Sequence, residues 1–200
     1  MSTATAPATT TEAPPTAGPP YRMPFDVYWN IVASGALEMV PVFLWDGELI
    51  ESMAPGRPHS RCVYKLKATL DRLAPAGCSV EQEQPLALSD RHAPEPDLKV
   101  VRGTVDDYPS RPPTAADVLL VVEVSDTTLA FDAGPKLRAY AAASIPVYWL
   151  VNLDERRIEA CSGPAGGSYQ HRQLFGPDDS VPVILDGQEI GRVAVRDVLP

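Results

Sequence analysis

One stretch limits the possible folds more than any other. Asp117-Val-Leu-Leu-Val-Val-Glu123-Val is an almost continuous apolar run broken by a single carboxylate. A strand with one solvated face alternates apolar and polar residues, so an unbroken run reads as a strand buried on both faces, inside a layered α/β structure. Val147-Tyr-Trp-Leu-Val151 reads as a second such strand. Between them, Asp132–Ala143 is rich in alanine and is predicted to be a helix that stops before Ile145-Pro146.

The flanking segments supply the remaining layers. Phe25–Val32 reads as a short leading helix. Val42–Trp45 and Glu48–Met53 flank Asp46-Gly47, a strong short-range signal for a β-hairpin. Pro58–Leu73 is an amphipathic helix, with Val63, Leu66, Leu70 and Leu73 on one face. Strands are predicted at Ser79–Leu88 and Asp97–Val101, either side of a polar turn at Ser89-Asp90-Arg91. Asp154–Arg157 turns the chain into Ile158–Cys161, and Gly166-Gly167 and Asp186-Gly187 mark further short antiparallel strands. The order helix, strand, strand, strand, helix, strand describes an α/β sandwich with a mixed β-sheet flanked by helices.

Composition narrows the setting. The 200 residues carry a formal net charge of −9, which argues against coating nucleic acid or an anionic membrane by bulk charge. Five of the 22 prolines fall among the first twenty residues with Thr, Ala and a single charge, Glu12. That stretch lacks apolar surface to offset ordering entropy, so residues 1–22 are predicted to form a disordered tail ahead of one domain at 23–200. Cys62, Cys78 and Cys161 have no paired spacing, as expected of free thiols in a reducing cytoplasm. No run is long and apolar enough to span a membrane, and the N-terminus lacks the basic and apolar regions of a secretory signal.

The chemistry-bearing candidates begin with misplaced charge. Glu123 sits near the carboxyl end of an apolar strand, where an unpartnered carboxylate is costly; it requires a metal, a cation or a set of donors. Asp97 opens another strand after Pro94-Glu-Pro. Two carboxylates at the mouths of neighbouring strands are placed to converge on one Mg²⁺, with water and a substrate phosphate completing its shell. Strand alternation puts Asp97 with Lys99, and Glu123 with Ser125. Asp132, Lys136 and Tyr140 repeat at four-residue steps on one helix face. A purely structural arrangement is equally open: Asp97 caps a turn, Glu123 pairs with Lys136, and Asp132 with Lys136. Arg61, Lys65 and Arg72 lie within about 40° of each other on the long helix, a basic stripe suited either to solvent or to phosphates.

Taken in order, Asp46-Gly-Glu-Leu-Ile-Glu-Ser-Met53, Pro58-His59, Pro94-Glu-Pro-Asp-Leu98, Leu119–Leu129, Asp132-x-Gly-Pro-Lys136, Leu137–Ala141 and Ile145–Val151 resemble the Uma-type restriction endonuclease family of bacteria, within the PD-(D/E)XK nuclease superfamily. The resemblance covers residues 25–160 and more loosely reaches Pro200. It implies a restriction-endonuclease-like core with extra N- and C-terminal β-hairpins, and a cytoplasmic, Mg²⁺- or Mn²⁺-dependent DNA endonuclease. By the same resemblance, Asp97 and Glu123 are the metal ligands and Lys136 is the catalytic lysine. The superfamily lysine two residues after the acid is replaced by Ser125, with Lys99 as the runner-up to Lys136. Asp132 would orient Lys136, and Glu48 or Glu51 would be an additional acid. His59 would touch phosphate or support the site, with Tyr140 beside the lysine. Arg61, Lys65 and Arg72 would meet DNA, and binding is expected to be weak at physiological salt. A non-catalytic DNA-binding or protein-interaction module on the same fold is the alternative. Phe25 and Trp29 are candidates for a homodimer interface or for core packing.

Overall fold

The computed structural model describes residues 18–200. The apolar run becomes β5 (Val118–Ser125), buried at all eight positions. Together with β3 (Cys78–Gln82), β4 (Leu98–Arg102), β6 (Val147–Asn152), β7 (Arg157–Ala165) and β8 (Ser168–Phe175) it forms one six-stranded sheet in the order β3-β4-β5-β6-β7-β8. Only β5 and β6 run parallel, so the sheet is mixed. A parallel neighbour requires a crossover, and the helical segment after β5 provides it.

The two faces of the sheet bury different layers. On one, α2 (Arg57–Leu73) packs Cys62, Val63, Leu66 and Leu70 against Val100, Leu120, Val122 and Trp149. The C-terminal hairpin of β9 (Ser180–Leu185) and β10 (Gln188–Ala194), with α5 (Val195–Val198), joins the same core. On the other face, α3 (Leu129–Phe131), a π-helical turn (Asp132–Lys136) and α4 (Leu137–Ala142) bring Leu137, Tyr140 and Ala141 onto Val121, Tyr148 and Leu150. At the N-terminus, α1 (Phe25–Ala33) packs Phe25 and Tyr28 beside Leu44 of the hairpin β1 (Val42–Trp45) and β2 (Glu48–Glu51). Asp46 and Gly47 both take positive φ in that turn, as the Asp-Gly signal requires.

Several expectations need correction. The strand predicted to run to Leu88 ends at Gln82, because Glu83 takes a left-handed φ of 50° and Pro85 has no N–H for a ladder. Ser89 and His92 close the polar turn through a local bridge inside the connection to β4. The crossover helix starts at Leu129 and widens into a π turn, because Pro135 cannot donate to the carbonyl of Phe131; instead the Leu137 N–H reaches Asp132 O. Phe25 is 4% exposed and stacks on Trp29, whose Nε1–H donates to Ser110 O, so this pair serves internal packing. The tail expectation for residues 1–17 lies outside the described residues, whereas Arg22, at its predicted end, is anchored by Asp46 and Glu48. All three cysteines are free. Among the described residues, no helix is long and apolar enough to cross a membrane.

Candidate active site

The sheet face under α4 carries the charged cluster. Glu123 points to that face because the β5–β6 register pairs it with Leu150 and places it two residues after Val121. Its Oε1 accepts a hydrogen bond of 2.7 Å from the Tyr140 hydroxyl and lies 2.9 Å from Lys136 Nζ. Its Oε2 has no partner among the described residues. Lys136 also lies 3.1 Å from Asp132 Oδ1, an ion pair whose geometry falls short of a hydrogen bond. Asp132 Oδ2 accepts the Ser125 hydroxyl at 2.7 Å and the Thr128 hydroxyl, and Tyr148 donates to the Asp132 backbone carbonyl at 3.0 Å.

Asp97 reaches the same end of the sheet from the loop before β4. Its Oδ2 accepts the Val124 backbone N–H at 2.6 Å, so it is tied to the residue after Glu123. Its Oδ1 lies 3.1 Å from Nε2 of His59, in the first turn of α2. His59 Nδ1 is buried without a partner among the described residues. Over the crossover, Phe43 and Trp45 of β1 pack on Phe131, whose ring lies 5.7 Å from Lys136 Nζ.

Burial pushes the Glu123 carboxyl up to about 7; Lys136 opposes the rise, while Asp132 and Asp97 add to it. Burial works against the Lys136 ammonium, but Glu123 and Asp132 outweigh it and hold the group above the ordinary lysine range. For His59, desolvation lowers the pKa, and Asp97, Glu83 and Glu123 together reverse it into a net rise. Three carboxylates thus face one lysine and one histidine. That excess of acid, with a free Glu123 oxygen, fits a hard divalent cation. Among the described residues, no group of three or more acidic, His or Cys side chains is placed to hold a metal ion, so Asp97 and Glu123 are the two carboxylates that would have to do so.

The other candidates lie elsewhere. Lys99 shares the face of Glu123, but its ammonium is 2.7 Å from its cross-strand neighbour Glu81 and donates to Gln84 O at 2.8 Å. Burial lowers its pKa against the pull of Glu81. The lysine that meets Glu123 is therefore Lys136. Glu48 pairs with Arg22 on the exposed hairpin, and Glu51 is exposed on the same hairpin. The basic stripe is interrupted: Lys65 donates to Leu199 O at 2.8 Å, leaving Arg61 and Arg72 exposed. Sequence reasoning missed Thr128, Tyr148 and Glu83. Thr128 lies within a quoted motif, but nothing in its type marks it. The Glu83 N–H donates to the carbonyls of Pro96 and Asp97, and its carboxylate adds to the field that raises the His59 pKa.

A family profile described as "Putative restriction endonuclease", Uma2, matches residues 37–194. The chain belongs to the Uma2 family. That span includes every member of the charged cluster. A protein described as a putative nuclease belonging to DUF820, from Anabaena variabilis ATCC 29413, aligns with a TM-score of 0.58 and 16% identity, over 78% of this chain and 88% of that one. At this identity the likeness is one of fold: a Uma2 core with a central mixed sheet, flanking helices and added hairpins. No curated protein shows a significant match.

Proposed function

We propose that this Uma2 protein is a divalent-metal-dependent DNA endonuclease that hydrolyses phosphodiester bonds. The observation that carries the reading is the meeting of Asp97, Glu123 and Lys136 at one sheet end, with Glu123 Oε2 unclaimed. Asp97 and Glu123 would hold the ion. A bound Mg²⁺ or Mn²⁺ supplies a Lewis acid for the scissile phosphate and acidifies a coordinated water. The Lys136 ammonium stabilises negative charge developing on the phosphate. Asp132, clamped by Ser125 and Thr128, aims that ammonium, while Tyr140 holds one Glu123 oxygen and His59 orients Asp97. DNA is the proposed substrate, with Arg61 and Arg72 as phosphate contacts.

The test is cleavage of supercoiled plasmid and single-stranded DNA with Mg²⁺ or Mn²⁺, comparing wild type, Asp97→Ala and Lys136→Ala. Cutting by wild type, abolished by EDTA and reduced at least about 100-fold in both variants, is expected. Intact DNA with wild type, or equal cutting by the Asp97 variant, refutes the assignment.

A further inference from the structure

One half-buried carboxylate takes no part in the chemistry above. Glu95 stands between two buried prolines, Pro94 and Pro96, whose rings fix the backbone on either side. The Pro94 carbonyl accepts the Leu86 N–H at 2.9 Å and the Pro96 carbonyl accepts the Glu83 N–H at 3.2 Å, so the chain under Glu95 is pinned twice. Asp97, two residues on, turns its carboxylate to Val124 and His59. Glu95 instead lines a groove of about 640 Å³ between α1 and the connection to β1. This volume lies within the range of about 300–1,000 Å³ typical of small-molecule sites.

The walls are apolar: Val32 of α1, with Leu37, Val40 and Pro41 of the connection. Turns hold that connection in place, the Gly35 N–H donating to Val32 O at 2.9 Å and the Val40 N–H to Leu37 O at 3.0 Å. The charge is one-sided. Neither Glu95 oxygen has a hydrogen-bond or ion-pair partner among the described residues, and neither is sealed from solvent. The Lys99 ammonium attracts Glu95 through space, but it is held by Glu81 at 2.7 Å and Gln84 O at 2.8 Å, and Glu83 adds a further negative charge. Glu38, the other charged residue lining the groove, is also an acid. A carboxylate drawn out of bulk water without a counter-charge is costly, and a bound cation relieves that cost.

We infer that this groove is a second binding site, for a small organic cation: a primary ammonium that pairs with Glu95, carried on an apolar body that lies against Val32, Leu37 and Val40. Charge-assisted hydrogen bonds to the carboxylate fix the ammonium, and the walls take the body by apolar burial.

The test titrates the whole protein with phenethylamine, charged at neutral pH, and with phenethyl alcohol, which has a similar shape without the charge. Two-dimensional NMR follows the backbone amides of Gly35, Leu37 and Val40. Phenethylamine should bind saturably, with Kd below about 1 mM, and shift those amides. Phenethyl alcohol should bind at least about tenfold more weakly, for want of a hydrogen bond to a charged group. Methylamine, with the charge but not the body, should also bind at least about tenfold more weakly. Glu95→Gln should bring phenethylamine to the level of the alcohol. Glu38→Gln removes the same charge from an exposed position and should change the affinity less than about threefold. Asp97→Ala should bind phenethylamine as wild type does, which separates this site from the nuclease assignment. Equal binding of the amine and the alcohol, undiminished binding by Glu95→Gln, or the same loss in Glu38→Gln, which is attraction by net charge alone, overturns the inference. Loss of binding in Asp97→Ala places the cation in the acid cluster and overturns it too. Should Glu95→Gln fail to fold, the three probes on wild type and the Glu38 variant still decide it.

Discussion

Replacing Lys136 with methionine removes the one ammonium from a pocket in which Glu123 and Asp132 are each 3% exposed. Deleting one partner of a buried ion pair costs about 3–5 kcal/mol, because a buried charge is left uncompensated. For a domain of this size that corresponds to a fall in Tm of about 6–20 °C. The loss should depend on pH. In the wild type the Glu123 carboxyl is already raised from 4.5 to about 7, so the native state binds its proton more tightly than the unfolded chain does. Its effect on stability is most favourable below about 4.5 and is lost as pH rises through about 7. Without Lys136 the native pKa rises further, so the window extends above 7 and the variant's deficit should be larger at pH 8.5 than at pH 6. Urea unfolding followed by circular dichroism, in EDTA at both pH values, measures this. Adding Glu123→Gln should recover part of the loss at pH 8.5, since the uncompensated charge is gone. A Lys136→Met variant within about 0.5 kcal/mol of wild type at both pH values would refute the ion-pair account.

Other outcomes follow from single contacts. Tyr140→Phe leaves Glu123 Oε1 without its hydroxyl donor and should destabilise the protein by about 1–3 kcal/mol in urea melts. His59→Ala should lower metal-dependent cleavage about 10–100-fold through misorientation of Asp97, with His59→Gln recovering part of it, as read from kcat on plasmid. Arg61→Ala and Arg72→Ala should each weaken DNA binding and reduce the salt slope by about 1, measured by fluorescence anisotropy from low to physiological salt. Lys65→Ala should leave that slope unchanged, because Lys65 already donates to Leu199 O.

The site was partly legible in the residues. Glu123 stood out because a carboxylate in an apolar strand requires partners, and the four-residue spacing of Asp132, Lys136 and Tyr140 anticipated that these partners share a face. The π turn did not disturb that convergence, although the sequence reading expected a regular helix there. Lys99 shows the limit of parity. Alternation assigned it correctly to the Glu123 face, but the β3–β4 register sets Glu81 directly opposite, and the nearer carboxylate captures the ammonium. In the stripe of Arg61, Lys65 and Arg72, Lys65 donates to Leu199 O, a contact that helical periodicity could not supply because it gives directions around one helix and says nothing of a segment packed against it.

By itself, the sequence determined the layers. Apolar runs, an amphipathic helix and turn dipeptides are local signals, and local patterns dictate which segments become strands, helices and hairpins. Only the tertiary structure decided which charges meet. Asp97 finds Val124 and His59, Glu83 adds its charge to the field on His59, and Trp149 is left without an acceptor among the described residues. Ion pairs and cavities depend on distances of a few ångströms between segments far apart in the chain, and those distances exist only once the layers have packed.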